Sequence, residues 1–209
     1  MSRLIDISPL VDAAIEVWPG DTPYTHTRNR DIAKGANITL SEIRTTVHVG
    51  AHADAPNHYI AGGDDIAARR LDDYFGRCVV IHVEGVRGRR IVPDDIRGKS
   101  ISAPRVLFRT KSFPDPRKWN NDFASLSPEL VDSLHGRGVV LIGIDTPSVD
   151  PFQSKALEAH KALGRHDMAN LEGLVLDDVE EGEYELIALP LRLRHADASP
   201  VRAALRTLR

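Results

Sequence analysis

Short stretches rich in β-branched residues, separated by turns, are the feature that most restricts the fold of this chain. They predict strands at residues 3–7, 38–47, 78–83, 105–110, 139–145 and 183–193. Helical signals are fewer. Ser127 and Pro128 predict the start of one helix, residues 154–163 predict a second that ends at Gly164, and residues 94–96 predict a single turn. This interspersed pattern predicts an α/β fold with a mixed, mainly β core sheet flanked by a few helices.

The size and composition of the chain narrow the class of protein. Its 209 residues, 42% of them hydrophobic, predict one domain over residues 1–209. The net charge of −3 gives no support for a nucleic-acid partner. The N-terminal residues lack the apolar core of a signal peptide, and no run is long enough to cross a membrane, so we expect a cytoplasmic protein. Residues 111–126, which include Trp119, predict a long surface loop.

The single cysteine, Cys78, excludes an internal disulfide and zinc sites built from several cysteines. Any bound metal must therefore use His, Asp and Glu. The chain also lacks a Gly-x-Ser-x-Gly nucleophile motif, a Walker A loop and a Gly-x-Gly-x-x-Gly motif. Water activated by a metal is the chemistry that these exclusions leave.

Residues 48–58 concentrate the groups that such chemistry requires. His48, His52, Asp54 and His58 can each bind a metal or move a proton, and small residues separate them. A helix is disfavoured by Gly50 and a nearby proline, so we expect a strand end that runs into a tight loop. A polar turn with incidental histidines is the alternative, but three histidines and one aspartate within eleven residues favour a metal site.

Further ligands have to come from other parts of the chain. His160 shares the apolar side of the second predicted helix, where a histidine packed in the core and a metal ligand are about equally expected. His166 is a competing candidate in a predicted loop. Glu172 precedes the apolar run 174–176 and is predicted at a strand entrance, where a solvated turn residue is the alternative to a ligand.

The pattern His-x-Gly-x-His-x-Asp-x-Pro-x-His at residues 48–58 resembles the metal-dependent cyclase/hydrolase family. Ala51 departs from the Thr that many members carry between the glycine and the second histidine. The resemblance extends over nearly the whole chain, through the segments 5–8, 17–21, 143–150, 170–174 and 196–202. It implies an α/β domain of the swivelling β/β/α-like type, built around a mixed sheet.

The resemblance also implies a ligand set. His48, His52 and Asp54 would hold a first metal, and Asp54 would bridge to a second that His160 and Glu172 complete. The family's usual metal is zinc, here two ions per subunit, and the oxygen and nitrogen ligands also suit manganese. The implied assembly is a homodimer.

The remaining implied roles concern the substrate. His58 would act as the general acid/base, and Trp18 would line the substrate pocket, although ordinary core packing is the alternative for this tryptophan. The implied activity is hydrolysis of N-formyl-L-kynurenine to L-kynurenine and formate, a step of tryptophan degradation. Another amide or cyclic-imide hydrolase of the family, acting on isatin for example, is one alternative. A non-catalytic metal-binding module is another.

Overall fold

Seven of the strands join into one mixed sheet, in a computed structural model that describes residues 2–208. The strands are β1 (Leu4–Asp6), β2 (Thr25–Arg30), β3 (Leu40–Arg44), β4 (His52–Asp54), β5 (Phe75–His82), β6 (Arg90–Ile91), β7 (Arg105–Arg109), β8 (Ser125–Leu126), β9 (Leu141–Ile144), β10 (Ala169–Leu171), β11 (Gly182–Ile187), β12 (Ala198–Pro200) and β13 (Ala204–Thr207). The helices are α1 (Pro128–His135) and α2 (Glu158–Arg165). Short 3-10 turns lie at Ile32–Lys34, Pro56–His58, Ile66–Ala68, Leu71–Tyr74 and Pro93–Ile96.

The strand order of the main sheet is β1-β13-β11-β5-β7-β9-β10. Strands β5, β7, β9 and β10 run parallel to one another, while β1, β13 and β11 pair antiparallel. Two-stranded ladders join β4 to β12, β2 to β3 and β6 to β8. The mixed sheet with few helices confirms the predicted fold class.

Both faces of the main sheet are covered, as strand β5 shows. Val79 and Ile81 contribute to the core beneath the two helices, whereas the alternate residues Cys78 and Val80 contribute to a second core. That second core also contains Ala53 of β4. The short β4–β12 ladder therefore packs on the face opposite the helices, and this places the 48–58 segment at the edge of a buried layer.

Two local predictions are confirmed. The side chain of Ser127 accepts a hydrogen bond from the Leu130 backbone N–H and caps α1, with Pro128 in the first turn. Residues 94–96 lie in the turn Pro93–Ile96. The six predicted strands each overlap an observed one, although residues 45–47 lie beyond β3 and the last strand ends at Ile187 rather than at 193.

The second helix begins later than predicted, at Glu158 instead of 154. Leu157 adopts a left-handed conformation with φ of 49°, which a continuing helix does not allow. The carboxylate of Asp150 then accepts hydrogen bonds from the backbone N–H groups of Ala159 and His160. The helix therefore starts where an acidic side chain from an earlier loop satisfies its free donors.

Other elements escaped prediction. Strand β2 is exposed along its whole length and has polar residues on both sides, so it lacks the alternation by which strands are recognised. The prediction of a surface loop at 111–126 is wrong at its end, because Phe123 and Ala124 are buried and β8 follows. Within residues 2–208, no helix combines the length and apolar character that crossing a bilayer requires.

Candidate metal centre

The first half of the centre comes from residues 48–58. His48 lies in the turn before β4, His52 and Asp54 are alternate residues of β4, and His58 ends the turn Pro56–His58. Alternate residues of a strand point to the same side, so His52 and Asp54 face one space. Gly50 has φ of 62°, which lets the chain turn back and bring His48 over the same space.

The second half comes from two distant elements that meet this segment. His160 projects from α2, and Glu172 follows β10. Backbone hydrogen bonds join His52 N to Glu172 O at 3.1 Å and Glu172 N to His52 O at 3.0 Å. Next to this bridge, the main chain at Gly173 crosses the main chain at Gly50. Only glycine fits there, because a Cβ at residue 173 would overlap the carbonyl group of Gly50. Glu172 thus lies at a strand exit and not at a strand entrance, since residues 174–176 form no strand.

Asp54 lies at the middle of the cluster and uses its two oxygens on opposite sides. Its Oδ1 lies 3.1 Å from His48 Nδ1 and 3.5 Å from His52 Nε2. Its Oδ2 lies 3.3 Å from His160 Nε2. His160 Nε2 is also 3.3 Å from Glu172 Oε1. One carboxylate therefore touches two separate groups of potential ligands.

These side chains fit a metal. Two sets, His48/His52/Asp54 and Asp54/His160/Glu172, each offer one ligand atom per residue within 4.8 Å of one another. Asp54 Oδ1 is buried and has no partner in good hydrogen-bonding geometry, although His48 Nδ1 lies 3.1 Å away; a cation bound between these atoms would satisfy both. Imidazole and carboxylate ligands without cysteine suit zinc or manganese.

The protonation of the cluster points the same way. Burial opposes ionisation of Asp54, but its close pairing with His160 and His48 outweighs burial and holds its pKa well below the ordinary value. Burial also opposes the charging of His48, yet pairing with Asp54 and Asp197 raises its pKa to about 9. Without a bound metal, the carboxylate of Asp54 thus faces a protonated His48. Metal binding would replace that proton with a cation.

His58 lies beside Asp197, a residue that the sequence reasoning left without a role. Asp197 Oδ2 is 3.0 Å from His48 Nε2 and 3.3 Å from His58 Nδ1. The imidazole rings of His48 and His58 lie 4.4 Å apart between centroids. His48, His58 and Asp197 form a third set whose ligand atoms lie within 4.8 Å. The resemblance of segment 196–202 was the only signal for Asp197.

Asp150 backs His160 from the other side and was also missed. It is 1% exposed, and its Oδ2 accepts a hydrogen bond from His160 Nδ1 at 2.8 Å. Arg90 Nη1 lies 2.9 Å from Asp150 Oδ1. Burial raises the pKa of Asp150, but the hydrogen bonds from His160 and Ala159 outweigh burial and lower that pKa to about 2. His160 Nε2 is thereby left facing Asp54 and Glu172.

Asn170 is the third residue that the sequence reasoning overlooked. It is fully buried on β10, two residues before Glu172 and so on the same side of the strand. Its Nδ2 donates to Asp54 Oδ2 at 2.6 Å and to Glu172 Oε1 at 3.3 Å. The i, i+2 spacing to a candidate ligand was a usable signal for this residue.

The cluster opens into a cavity of about 370 Å³. His48, His52, His58, His160 and Glu172 form one part of its lining. Trp18, Phe113 and Trp119 form an aromatic wall. The ring of Trp18 lies 5.4 Å from that of Trp119 and 5.1 Å from that of Phe152, between centroids. The loop 111–124 thus turns its rings toward the cavity instead of lying free on the surface.

Two other candidates lie away from this cavity. His166 Nε2 pairs with Asp132 Oδ1 at 2.7 Å beyond the end of α2 and does not line the cavity. Cys78 is buried in the sheet, and burial raises the pKa of its thiol to about 12, which leaves it unreactive. The structure therefore brings together His48, His52, Asp54, His58, His160, Glu172 and Trp18 and leaves His166 apart.

The chain is similar to known proteins over its whole length. The model of the putative cyclase family matches residues 5–151. A kynurenine formamidase of Bordetella pertussis is 50% identical over 209 residues, which cover 100% of both chains.

Solved structures with the same fold include two hydrolases. A potential metal-dependent hydrolase with cyclase activity superposes with a TM-score of 0.86 at 27% identity, covering 100% of each chain. Isatin hydrolase A from Labrenzia aggregata superposes with a TM-score of 0.84 at 21% identity, covering 100% of this chain and 94% of that one. The second likeness concerns the fold alone.

Proposed function

This chain belongs to the putative cyclase family, and we propose that it is a metal-dependent hydrolase that converts N-formyl-L-kynurenine to L-kynurenine and formate. The observation that carries the proposal is the shared carboxylate of Asp54, with one oxygen facing His48 and His52 and the other facing His160. Full-length identity of 50% to a kynurenine formamidase supports the substrate.

The proposal includes two zinc ions per subunit. His48, His52 and Asp54 would hold one, and Asp54, His160 and Glu172 would hold the other. Such ions lower the pKa of water toward neutrality and stabilise negative charge that develops on a carbonyl oxygen. Manganese is the alternative ion for these ligands.

His58 would move the protons. It lines the cavity beside the ligand set and its side chain is partly exposed to the cavity, so it can reach both water and substrate. In this role it takes a proton from the attacking water and delivers it to the nitrogen of the departing arylamine. General acid–base catalysis of this kind contributes about 10²- to 10⁴-fold to the rate.

The aromatic wall supports an aryl substrate. Trp18 and Trp119 would pack against the benzene ring of N-formylkynurenine and hold its formamide group over the ligand set. Aromatic rings pack favourably in tilted and edge-on arrangements at centroid separations of about 4.5–7 Å. In this proposal Trp18 binds substrate, and its contacts with Trp119 and Phe152 keep the indole in place.

The charges in the cavity favour the amino-acid substrate over isatin. Beyond the ligand set, Glu16, Asp21, Asp145 and Asp177 also line the cavity, whereas its lining contains neither Lys nor Arg among residues 2–208. N-formylkynurenine is a zwitterion, and these acidic residues attract its α-ammonium group if its α-carboxylate points away from them, whereas isatin has no charged group for them to bind.

The deciding experiment is an assay of the purified protein with N-formyl-L-kynurenine and with isatin, coupled to metal analysis. We expect turnover of the formamide with a kcat/KM well above that for isatin. Preferential opening of isatin would overturn the substrate assignment. Replacement of Trp18 by Leu should raise the KM for N-formylkynurenine and leave the metal content unchanged.

A chelator test separates the enzyme from a non-catalytic metal-binding module. We expect chelation to abolish hydrolysis while the circular dichroism spectrum of the protein keeps its form, and added zinc to restore activity. Unfolding on chelation, in a protein that shows no turnover when loaded, would favour a structural metal.

We also infer a homodimer. The β2–β3 hairpin is exposed on every residue of both strands, and Leu40 and Ile43 lie 49% and 64% exposed on it. Apolar side chains on an exposed two-stranded arm are typical of a subunit contact. Sedimentation analysis of the wild type and of an Ile43→Lys variant tests this, with dissociation expected for the variant.

A further inference from the structure

Asp197 lies at the rim of the ligand set, and the proposed function assigns it no role. Strand β12 begins at the next residue and pairs antiparallel with β4, with Ala198 opposite Asp54. The backbone N–H of Ala55 donates to the carbonyl oxygen of Asp197 at 2.8 Å. The main chain at Asp197 is therefore fixed in register with the strand that carries two candidate ligands.

A single oxygen of this side chain serves two histidines. Asp197 Oδ2 lies 3.0 Å from His48 Nε2 and 3.3 Å from His58 Nδ1. The other two candidate histidine ligands each have a partner of their own, since His52 Nδ1 pairs with Gly50 O at 2.8 Å and His160 Nδ1 pairs with Asp150. Asp197 is distinct because it joins a ligand histidine to one that is not a ligand.

The consequence concerns which ring nitrogen carries the hydrogen. A neutral imidazole has one N–H and one lone pair, so donation to a carboxylate from one nitrogen leaves the other as an acceptor. In the neutral form that binds a metal, an Nε2–H directed at Asp197 would leave the lone pair of His48 on Nδ1, which lies 3.1 Å from Asp54 Oδ1. With Nδ1–H directed at Asp197, His58 keeps a lone pair on Nε2.

We propose that Asp197 is a positioning residue that fixes the tautomers of His48 and His58 together. It thereby presents His48 Nδ1 to the metal and His58 Nε2 to the proton that it must accept. The part that concerns His58 rests on the proposed function. The part that concerns His48 requires only that the ligand set bind a metal.

An ordinary surface ion pair would behave differently. The side chain of Asp197 is 46% exposed, and exposed pairs contribute little to stability. If Asp197 were only such a pair, its removal would leave metal binding and the imidazole rings unchanged. A carboxylate that orients a ligand histidine typically changes metal affinity by about 10- to 100-fold when it is replaced.

The test uses Asp197→Ala and Asp197→Asn, with Asp178→Ala as a matched control at an exposed aspartate that does not line the cavity. Zinc affinity is measured by competition with a chromogenic chelator. Nitrogen-15 NMR of labelled histidine in the zinc-loaded protein reads the tautomer of each ring without any substrate. Asn keeps one acceptor oxygen, so it serves as the conservative variant and as the fallback if the Ala variant fails to fold.

We expect Asp197→Ala to weaken zinc binding by about 10- to 100-fold and to move the hydrogen of His58 from Nδ1 toward Nε2. Asp197→Asn should fall between this variant and the wild type, and Asp178→Ala should match the wild type. Unchanged zinc affinity together with unchanged histidine spectra in Asp197→Ala would overturn the proposal.

Kinetic measurements separate the effect of Asp197 on His58 from its effect on His48. At saturating zinc, Asp197→Ala should lower kcat in the wild type but have no further effect in a His58→Ala background, because the two residues act as one unit. An equal loss in both backgrounds would show that Asp197 acts without His58. If the wild type fails to hydrolyse N-formylkynurenine, the proposed function falls, while zinc affinity and the NMR spectra still decide the role of Asp197.

Discussion

The candidate metal centre has an inner half and an outer half, and the two differ in how their histidines are supported. In the inner half, Asp150 backs His160 and is itself held by Arg90 and by two backbone N–H groups at the start of α2. In the outer half, Asp197 backs His48 from the rim and shares its oxygen with His58. The inner carboxylate is 1% exposed, whereas the outer side chain is 46% exposed.

Under the proposed function, the inner half would serve to hold a metal, and the outer half would serve both the metal and the substrate. The contacts of Asp150 with His160 and with the start of α2 are buried, so we expect His160 to be oriented before any ion binds. The contacts of Asp197 connect a ligand to a group that faces the cavity and water. We therefore expect changes in the inner half to alter metal affinity and folding stability, and changes in the outer half to alter metal affinity and turnover.

Asp54 joins the two halves, and its replacement should erase the difference between them. Asp54→Ala removes an oxygen from each ligand set, so we expect loss of both ions and of all measurable turnover. Metal analysis after dialysis measures this directly, with Asp178→Ala as the folded control. Retention of two ions per subunit would contradict the shared carboxylate.

His58→Ala should damage the outer half alone. We expect the metal content of the wild type together with a kcat lower by about 10²- to 10⁴-fold, because the proton carrier is lost while the ligands remain. Metal analysis and steady-state kinetics on the same preparation measure both quantities. If the variant loses metal, His58 is a ligand and its proposed role is wrong.

Asp150→Asn compared with Asp197→Asn tests the contrast in support. The inner variant replaces a buried carboxylate that pairs with His160 and Arg90 by a neutral amide, while Arg90 keeps Glu158, so we expect the free energy of unfolding of the metal-free protein to fall by about 2 kcal/mol. The outer variant should change that free energy by less than about 1 kcal/mol. Urea denaturation in the presence of a chelator measures both. Equal destabilisation would remove the distinction between the halves.

Lowering the pH should reduce the free energy of unfolding through Asp150, by no more than Asp150→Asn does. The folded-state pKa of Asp150 is about 2, below the ordinary aspartate value of 3.8. Its contribution to stability is therefore present above pH 4 and is lost as the pH falls from about 4 toward 2, by about 1–2 kcal/mol. Denaturation of the metal-free protein across this pH range should show that the free energy of unfolding declines less steeply in Asp150→Asn than in the wild type. An identical pH dependence in wild type and variant would contradict it.

The sequence predicted the parts of the centre that depend on local spacing. Histidines and an aspartate at alternating or turn-related positions of 48–58 converge because small residues let the backbone fold tightly there, and α2 places His160 on a buried face. Likewise, β-branched runs predicted five strands of the main sheet, β1, β5, β7, β9 and β11, because a sheet covered on both faces favours such residues.

The partners of the histidines were beyond such reasoning. Asp197 reaches His48 across 149 residues of sequence because β12 pairs with β4 in a particular register, and no local pattern specifies that pairing. Asp150 meets His160 only because α2 starts at Glu158, after a left-handed residue. The polar strand β2 was missed because an exposed hairpin has no buried face to impose a period.

The crossing at Gly50 and Gly173 has an evolutionary consequence. Main chain meets main chain there, and a side chain at Gly173 has no space, so this part of the centre tolerates almost no replacement. The aromatic wall, by contrast, comes largely from one connection, residues 111–124, between β7 and β8. We therefore expect descendants of such a chain to acquire new substrates by exchange of that connection, while the candidate metal ligands stay unchanged.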